Sequence, residues 1–224
     1  MDSILEKLGV YELFSIIFAG AVITYCSVIL EKYYFKFGFS LNNLTNGLNK
    51  TVLFVLVSCF IGILFQEFGS IIINRLLFKN NKLLKIAYSS KSLSESEYNK
   101  LESIFNDKGI NDLVEKYNES KYYILLKGNT SRADKEMALS SMSRSFFVYF
   151  FIISIALLLE MILNLNLDYM EPFVPSVILT IVMFFRLKRF ANMRYVYIFR
   201  NYLYAENNRR KKKTVVTIKN KSYY

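Results

Sequence analysis

Four apolar runs dominate the chain: Leu13–Leu30, Thr51–Ile73, Ser145–Leu165 and Tyr169–Phe185. A hydrocarbon core about 30 Å thick needs about 20 apolar residues in a helix that rises about 1.5 Å per residue. The first three runs meet that length. The fourth lies at its lower limit, and Pro172 and Pro175 suit a helix start, where a missing N–H costs little. Hydrophobic residues make up 53% of the 224 and mean hydropathy is +0.25, both high for a soluble chain. The expected fold is an all-α membrane protein with four transmembrane helices, two in 1–73 and two in 145–187. A small helical cytoplasmic bundle would form from the insert 74–144 and the C-terminal extension 188–224. The first run reads as a retained anchor: its flank, MDSILEKLGVYE, sets Lys7 against Asp2, Glu6 and Glu12, and no persuasive cleavage site follows.

Basic residues give the orientation. Four spans put the N-terminus, the insert and the tail from Arg186 on one side, with 1, 13 and 12 Lys and Arg. The loops 31–50 and 166–168 on the other side carry 3 and 0. Retention of positive charge inside predicts a multi-pass protein of the inner (cell) membrane with both termini cytoplasmic. Lys32, Lys36 and Lys50 outnumber Lys7 across the first span and argue locally for the reverse, but the total outweighs them.

In the tail, 12 basic residues face Glu206 alone, a surplus equal to the net charge of +11. Arg209, Arg210, Lys211, Lys212 and Lys213 form a candidate membrane-surface cluster, each worth about 1 kcal/mol against anionic lipid. The same cluster suits a nucleic-acid backbone. It also suits an ordinary cytoplasmic flank, and usage rich in Phe, Tyr, Ile, Asn and Lys lowers the weight of any lysine count.

Histidine is absent, and both cysteines, Cys26 and Cys59, fall inside predicted spans. A disulfide framework is therefore not expected, and neither a metal site nor a cofactor is predicted. There is no phosphate-cradling glycine loop, no G-x-S-x-G and no nucleophile beside a base, so the chain does not read as an enzyme. Paired intramembrane aspartates of the protease kind are also missing.

The insert is legible as helices. The second span is expected to continue through NRLLFKNNKLLKIAY to a break at SSKS. Ser94 and Glu97 form a capping box, with Leu93 placed to staple against Tyr98. That helix should end near Asp107-Lys108-Gly109. A second begins at Asn111-Asp112 and stops at Gly128-Asn129. From Thr130 the chain reads as one helix into the third span, and the fourth span continues through RLKRFANMRYVYIFRNYLY. So short an insert buries little core alone, which predicts packing against the tail helix or other subunits.

Polar residues inside the spans are the candidate pore groups: Gln66, Glu67, Asn74, Glu160 and Asn164. An intramembrane carboxylate is costly unless paired or hydrated. Ser58, Gly62, Gln66 and Gly69 share one side of a helix, a small-residue seam, whereas Glu67 and Asn74 lie nearly opposite Ser58. Ser15, Ala19, Gly20, Ala21, Thr24 and Ser27 make a similar surface in the first span. Glu160 and Asn164 share a face at i, i+4. One reading is a cation path with Glu160 near its outer mouth and Gln66 or Glu67 near its inner one. The other is structural, with Glu67 near the interface and paired to Arg75 or Arg144. A proton-coupled transporter would need internal repeat symmetry, which is not visible.

Four stretches carry a resemblance: LGVYELFSIIFAG, IGILFQEFGSIIINRLLF, SRADKEMALSSMSRSFF and RFANMRYVYIFRNYL. They resemble small four-span membrane effectors of bacterial antiviral defence systems, the Hailong-type channel effector first and the Kiwa-type membrane sensor next. The resemblance implies a homo-oligomeric channel, taken as a tetramer. It also implies an oligonucleotide ligand made by a partner nucleotidyltransferase, and it carries over no ligand residue by motif. Two segments interleave cations with rings, as single-stranded nucleic acid requires. One holds Lys116, Tyr117, Lys121, Tyr122, Tyr123, Lys127 and Arg132; the other holds Arg194, Tyr195, Tyr197, Arg200, Tyr202 and Tyr204. The competing reading makes Tyr195, Phe199 and Tyr202 a packing stripe with arginines at lipid headgroups. A non-conducting scaffold that recruits a soluble defence partner is the alternative function.

Overall fold

A computed structural model describes the backbone of residues 10–35, 48–76, 82–89, 91–126 and 131–221, and the side chains of 13–31, 33–34, 51–73, 83–89, 91–126 and 133–209. Its helices are α1 (Val10–Leu30), α2 (Leu48–Leu76), α3 (Lys82–Ala87), α4 (Glu95–Asp107), α5 (Leu113–Leu126), α6 (Ser131–Asn164) and α7 (Met170–Lys221). A π-helical turn, Glu31–Phe35, follows α1, and a 3-10 turn, Leu167–Tyr169, precedes α7. Among the described residues there is no strand. Four helices are long and apolar enough to cross a membrane: α1, α2, α6 and α7. The fold is all-α and of the multi-pass membrane type.

The chain divides into two compact units, residues 1–79 with 137–190 and residues 80–136 with 191–224. Helices α6 and α7 each contribute to both without a break. Helix α2 ends at Leu76 and α3 begins at Lys82, and residues 77–81 between them lie outside the described residues.

In the first unit, small residues let α1 and α2 touch backbone to backbone. A Cβ on Gly20 would run into the Ser58 carbonyl, and one on Gly62 into that of Ile16. Close approach of this kind is how helices pack in lipid, where apolar burial gives no preference for a neighbouring helix over a lipid tail. Thr24 satisfies its hydroxyl on the Gly20 carbonyl, 2.8 Å away, so it adds no polar cost to the seam. Ala19 and Ile23 pack with Phe146 and Tyr149 of α6, and the Ser27 hydroxyl donates to the Tyr149 oxygen at 3.1 Å. Ile73, Phe147, Val148 and Leu187 form a second cluster joining α2, α6 and α7. The hydroxyls of Ser154 and Ser176, 2.9 Å apart, tie α6 to α7.

The second unit has one aromatic core: Leu84, Ala87, Tyr88, Leu93, Leu101, Ile104, Phe105, Ile124 and Ala133, closed by Val196, Ile198, Phe199, Tyr202 and Leu203 of α7. The insert thus completes its core with the C-terminal extension. Ser94 and Glu97 form the capping box, with Glu97 N–H to Ser94 Oγ at 3.3 Å and Ser94 N–H to Glu97 Oε2 at 2.9 Å. Leu93 is fully buried and Tyr98 packs on the same core, which fits a hydrophobic staple. Gly109, at φ +70°, ends α4 in the left-handed conformation that a Cβ would strain. Asp112 caps α5 by accepting from the Val114 and Glu115 amides.

Candidate functional site

The polar residues of the spans fall on different surfaces. Ser58, Gly62 and Gly69 are buried and Gln66 is half-buried, so this side of α2 is a packing seam. Gly69 lies under Arg144: a Cβ there would come within 2.6 Å of the Arg144 Cγ. Glu67 points the other way and is exposed among Phe60, Ile63, Leu64, Phe68 and Ile71, all exposed too. No ion pair joins Glu67 to Arg144 or to any other described residue. The side chains of Asn74 and Arg75 lie outside the described residues.

Glu160 accepts a hydrogen bond from the Asn164 amide at 2.6 Å, on an exposed face of the last turn of α6. Helical spacing alone produces this contact, because i and i+4 stand one above the other. The pair sits at the helix end, where α6 stops and Leu165 turns back with φ 48°. At that end Tyr34 O–H also donates to Glu171 Oε2 at 3.0 Å.

Several ring-and-cation candidates are committed to the bundle core rather than to a ligand. Lys116 is only 6% exposed, bonds both oxygens of Glu102 at 2.8 and 2.9 Å, and lies over the rings of Tyr88 and Phe105. A phosphate would have to break that pair to reach Lys116. Tyr123 presents its edge to Tyr202 and carries Lys108 over its ring. Tyr117 stands edge-on to both Tyr195 and Phe199. Stacking bases on these rings would require faces already occupied. The packing-stripe reading of Tyr195, Phe199 and Tyr202 is therefore the one the structure supports.

Electrostatics tighten this core. Burial pushes the Tyr88 hydroxyl far above its ordinary pKa, with the Glu102 carboxylate adding to it, so the ring stays neutral. Burial likewise raises Tyr117, although the charge of Arg194 opposes it. Burial pulls the Lys108 ammonium down, but its hydrogen bonds to Glu119 and Tyr202 win and its pKa is raised. Arg200 bonds Glu97 and is thus engaged in holding α7 to α4.

Lys121, Tyr122 and Tyr204 remain outward-facing, and Arg194 and Tyr197 are half-buried. Lys127 and the side chain of Arg132 lie outside the described residues, as do the side chains of Arg210, Lys211, Lys212 and Lys213. Arg209 is described, and it pairs with Glu206 at 3.3 Å.

Residue-by-residue reading passed over three features. Glu102 pairs with a lysine 14 positions on, across two helices, which no local spacing signals. Ser176 meets Ser154 only because α6 and α7 pack antiparallel. Glu206 is 1% exposed; being the one acid in a basic tail was the signal that could have marked it. No group of three or more metal-binding side chains is found among the described residues. The chain matches no protein-family model, no curated protein and no solved structure.

Proposed function

We propose that this chain is an oligomeric membrane channel effector of antiviral defence, controlled by a nucleotide or oligonucleotide signal sensed by its helical bundle. It resides in the inner membrane with its termini and bundle in the cytoplasm. The observation that carries the reading is the placement of Glu67 and the Glu160–Asn164 pair on uncovered faces of membrane-compatible helices. Hydrocarbon tolerates such groups poorly, and association of copies accommodates them, either by pairing a charge across the contact or by enclosing water. The defence setting and the oligonucleotide signal rest on the resemblance of the four sequence stretches alone. The outward-facing Lys121, Tyr122 and Tyr204 are the ring and cation groups left to meet a ligand.

The test is ion flux through the full-length protein in liposomes, with and without oligodeoxyadenylate. A flux that the oligonucleotide switches on or off supports the proposal; membranes sealed under both conditions overturn it. Glu160→Gln should change conductance or cation preference, and unchanged currents would remove Glu160 from the path.

A second reading, a membrane-anchored scaffold, draws on the outer face of α5, where Val114, Tyr122, Leu125 and Leu126 are exposed. It predicts that a captured soluble partner accounts for the activity without conductance.

A further inference from the structure

The face of α2 that carries Glu67 is an exposed side of a membrane-compatible helix, formed by Phe60, Ile63, Leu64, Glu67 and Ile71. A helix face that looks only at lipid has no use for a carboxylate, and this one has no ion-pair partner among the described residues of its own chain. Arg144, at a similar level, lies over Gly69, two residues on and therefore on the opposite side of the helix.

Depth can be read from ring contacts. Phe65 meets Tyr149 edge-on at 5.7 Å, and Gly69 meets Arg144, so Glu67 stands level with about Phe147 on the antiparallel α6. Phe147 in turn packs on Phe184 of α7 at 5.6 Å. Arg186 is two residues beyond Phe184, about 3 Å along the axis. α2 and α7 both run antiparallel to α6, so the two side chains lean the same way and the offset stays at about 3 Å, within the reach of an arginine side chain. Arg186 is exposed, on a face it shares with Ile178, Val182 and Arg189. Among the described residues the protein therefore presents an apolar stripe holding the Glu67 anion and a stripe that runs from Ile178 and Val182 to Arg186 and Arg189, with Glu67 and Arg186 at nearly the same depth.

We propose that the Glu67 face of α2 is an intramembrane docking surface for the Arg186 face of α7 in a second copy of this chain, with Glu67 and Arg186 paired across the contact. Two different surfaces meet, so the contact is heterologous, and repetition about an axis normal to the membrane closes it into a ring. Pairing neutralises both groups where water is scarce. The inference deepens the oligomeric part of the proposed function and rests on it.

The test uses two differently tagged full-length chains, both with Cys26→Ala and Cys59→Ala, co-expressed in membranes. One carries Glu67→Cys and the other Arg186→Cys, and a short bismaleimide is added. The expected result is a mixed cross-linked product, strongly reduced when Arg186→Cys is replaced by Leu163→Cys at the far end of α6. Tagged chains that co-purify without that product leave the oligomer standing and overturn this interface. A product from Glu67→Cys alone, joining like faces, overturns it too. Chains that fail to co-purify overturn both the interface and the oligomer. A charge swap gives a second arm. Glu67→Arg should cause loss of the oligomer on sizing in detergent, and adding Arg186→Glu in the same chain should restore it. An unchanged oligomer in Glu67→Arg, as expected of a carboxylate that only reaches lipid headgroups, overturns the pairing.

Discussion

Arg200 donates from Nε and Nη2 to the same Glu97 oxygen, at 3.3 Å each, that accepts the Ser94 amide in the capping box of α4. One carboxylate thereby caps the first helix after the insert's turn and ties it to the C-terminal helix. Burial raises its pKa, but the Ser94 amide and Arg200 more than offset this, and the value is lowered. A carboxylate lowered on folding contributes fully above its ordinary pKa, and the contribution fades as pH falls through the folded-state value. Glu97→Gln keeps a capping-box acceptor but loses the charge that Arg200 meets, so it should cost up to about 1 kcal/mol near neutrality, and less in acid. Thermal melting of the full chain in detergent against pH checks this; an equal loss at every pH would refute it.

Lys116 and Glu102 form the most enclosed ion pair among the bundle's described residues, with side-chain exposures of 8% and 26%. Lys116→Ala should destabilise the protein by about 3 kcal/mol, the low end for a broken buried pair, because Glu102 keeps some access to water. Replacing both together, Lys116→Met with Glu102→Gln, should recover most of that loss. Melting temperatures of the single and double variants decide it. Similar losses in both would mean that shape, not charge, governs the site.

Gly20 and Gly62 should be far less replaceable than Gly69. Alanine at either of the first two drives a Cβ into the facing backbone, which can give way only if α1 and α2 separate. About 1–3 kcal/mol of overpacking cost is expected. At Gly69 the obstacle is the flexible Arg144 side chain, so Gly69→Ala should cost less. Comparing the three variants by detergent melting tests the ranking.

Leu165 occupies the left-handed region at φ 48° with its side chain 88% exposed. That conformation costs a non-glycine residue about 1 kcal/mol, and no burial offsets it here. Leu165→Gly should be neutral or stabilising by up to about 1 kcal/mol, whereas Leu165→Val should destabilise. A marked loss of melting temperature in Leu165→Gly would show that the turn depends on the leucine side chain.

Much of the architecture is written in local pattern. Apolar run length is enough to specify α1, α2, α6 and α7 as membrane-compatible, because crossing hydrocarbon in a helix is a matter of length and composition. The Ser94–Glu97 box and Gly109 mark the ends of α4 in the sequence, because a cap is satisfied within four residues. The small-residue seam of α2 was legible for the same reason. The Tyr195, Phe199 and Tyr202 spacing was legible as a packing stripe, but the rings that oppose it were not, since they come from the insert.

Helices and their ends, then, were determined by the sequence, through interactions that close within a turn or two. Only the tertiary structure decided which charges are spent. Lys116, Arg200 and Lys108 look alike as cations in a list of residues, yet each meets its carboxylate on another helix. Glu67 is the converse case: its own chain folds without a described partner for it, because the helices that pack on α2 approach its other side. Long-range pairing depends on which faces meet, and spacing along one helix carries no record of the helix opposite.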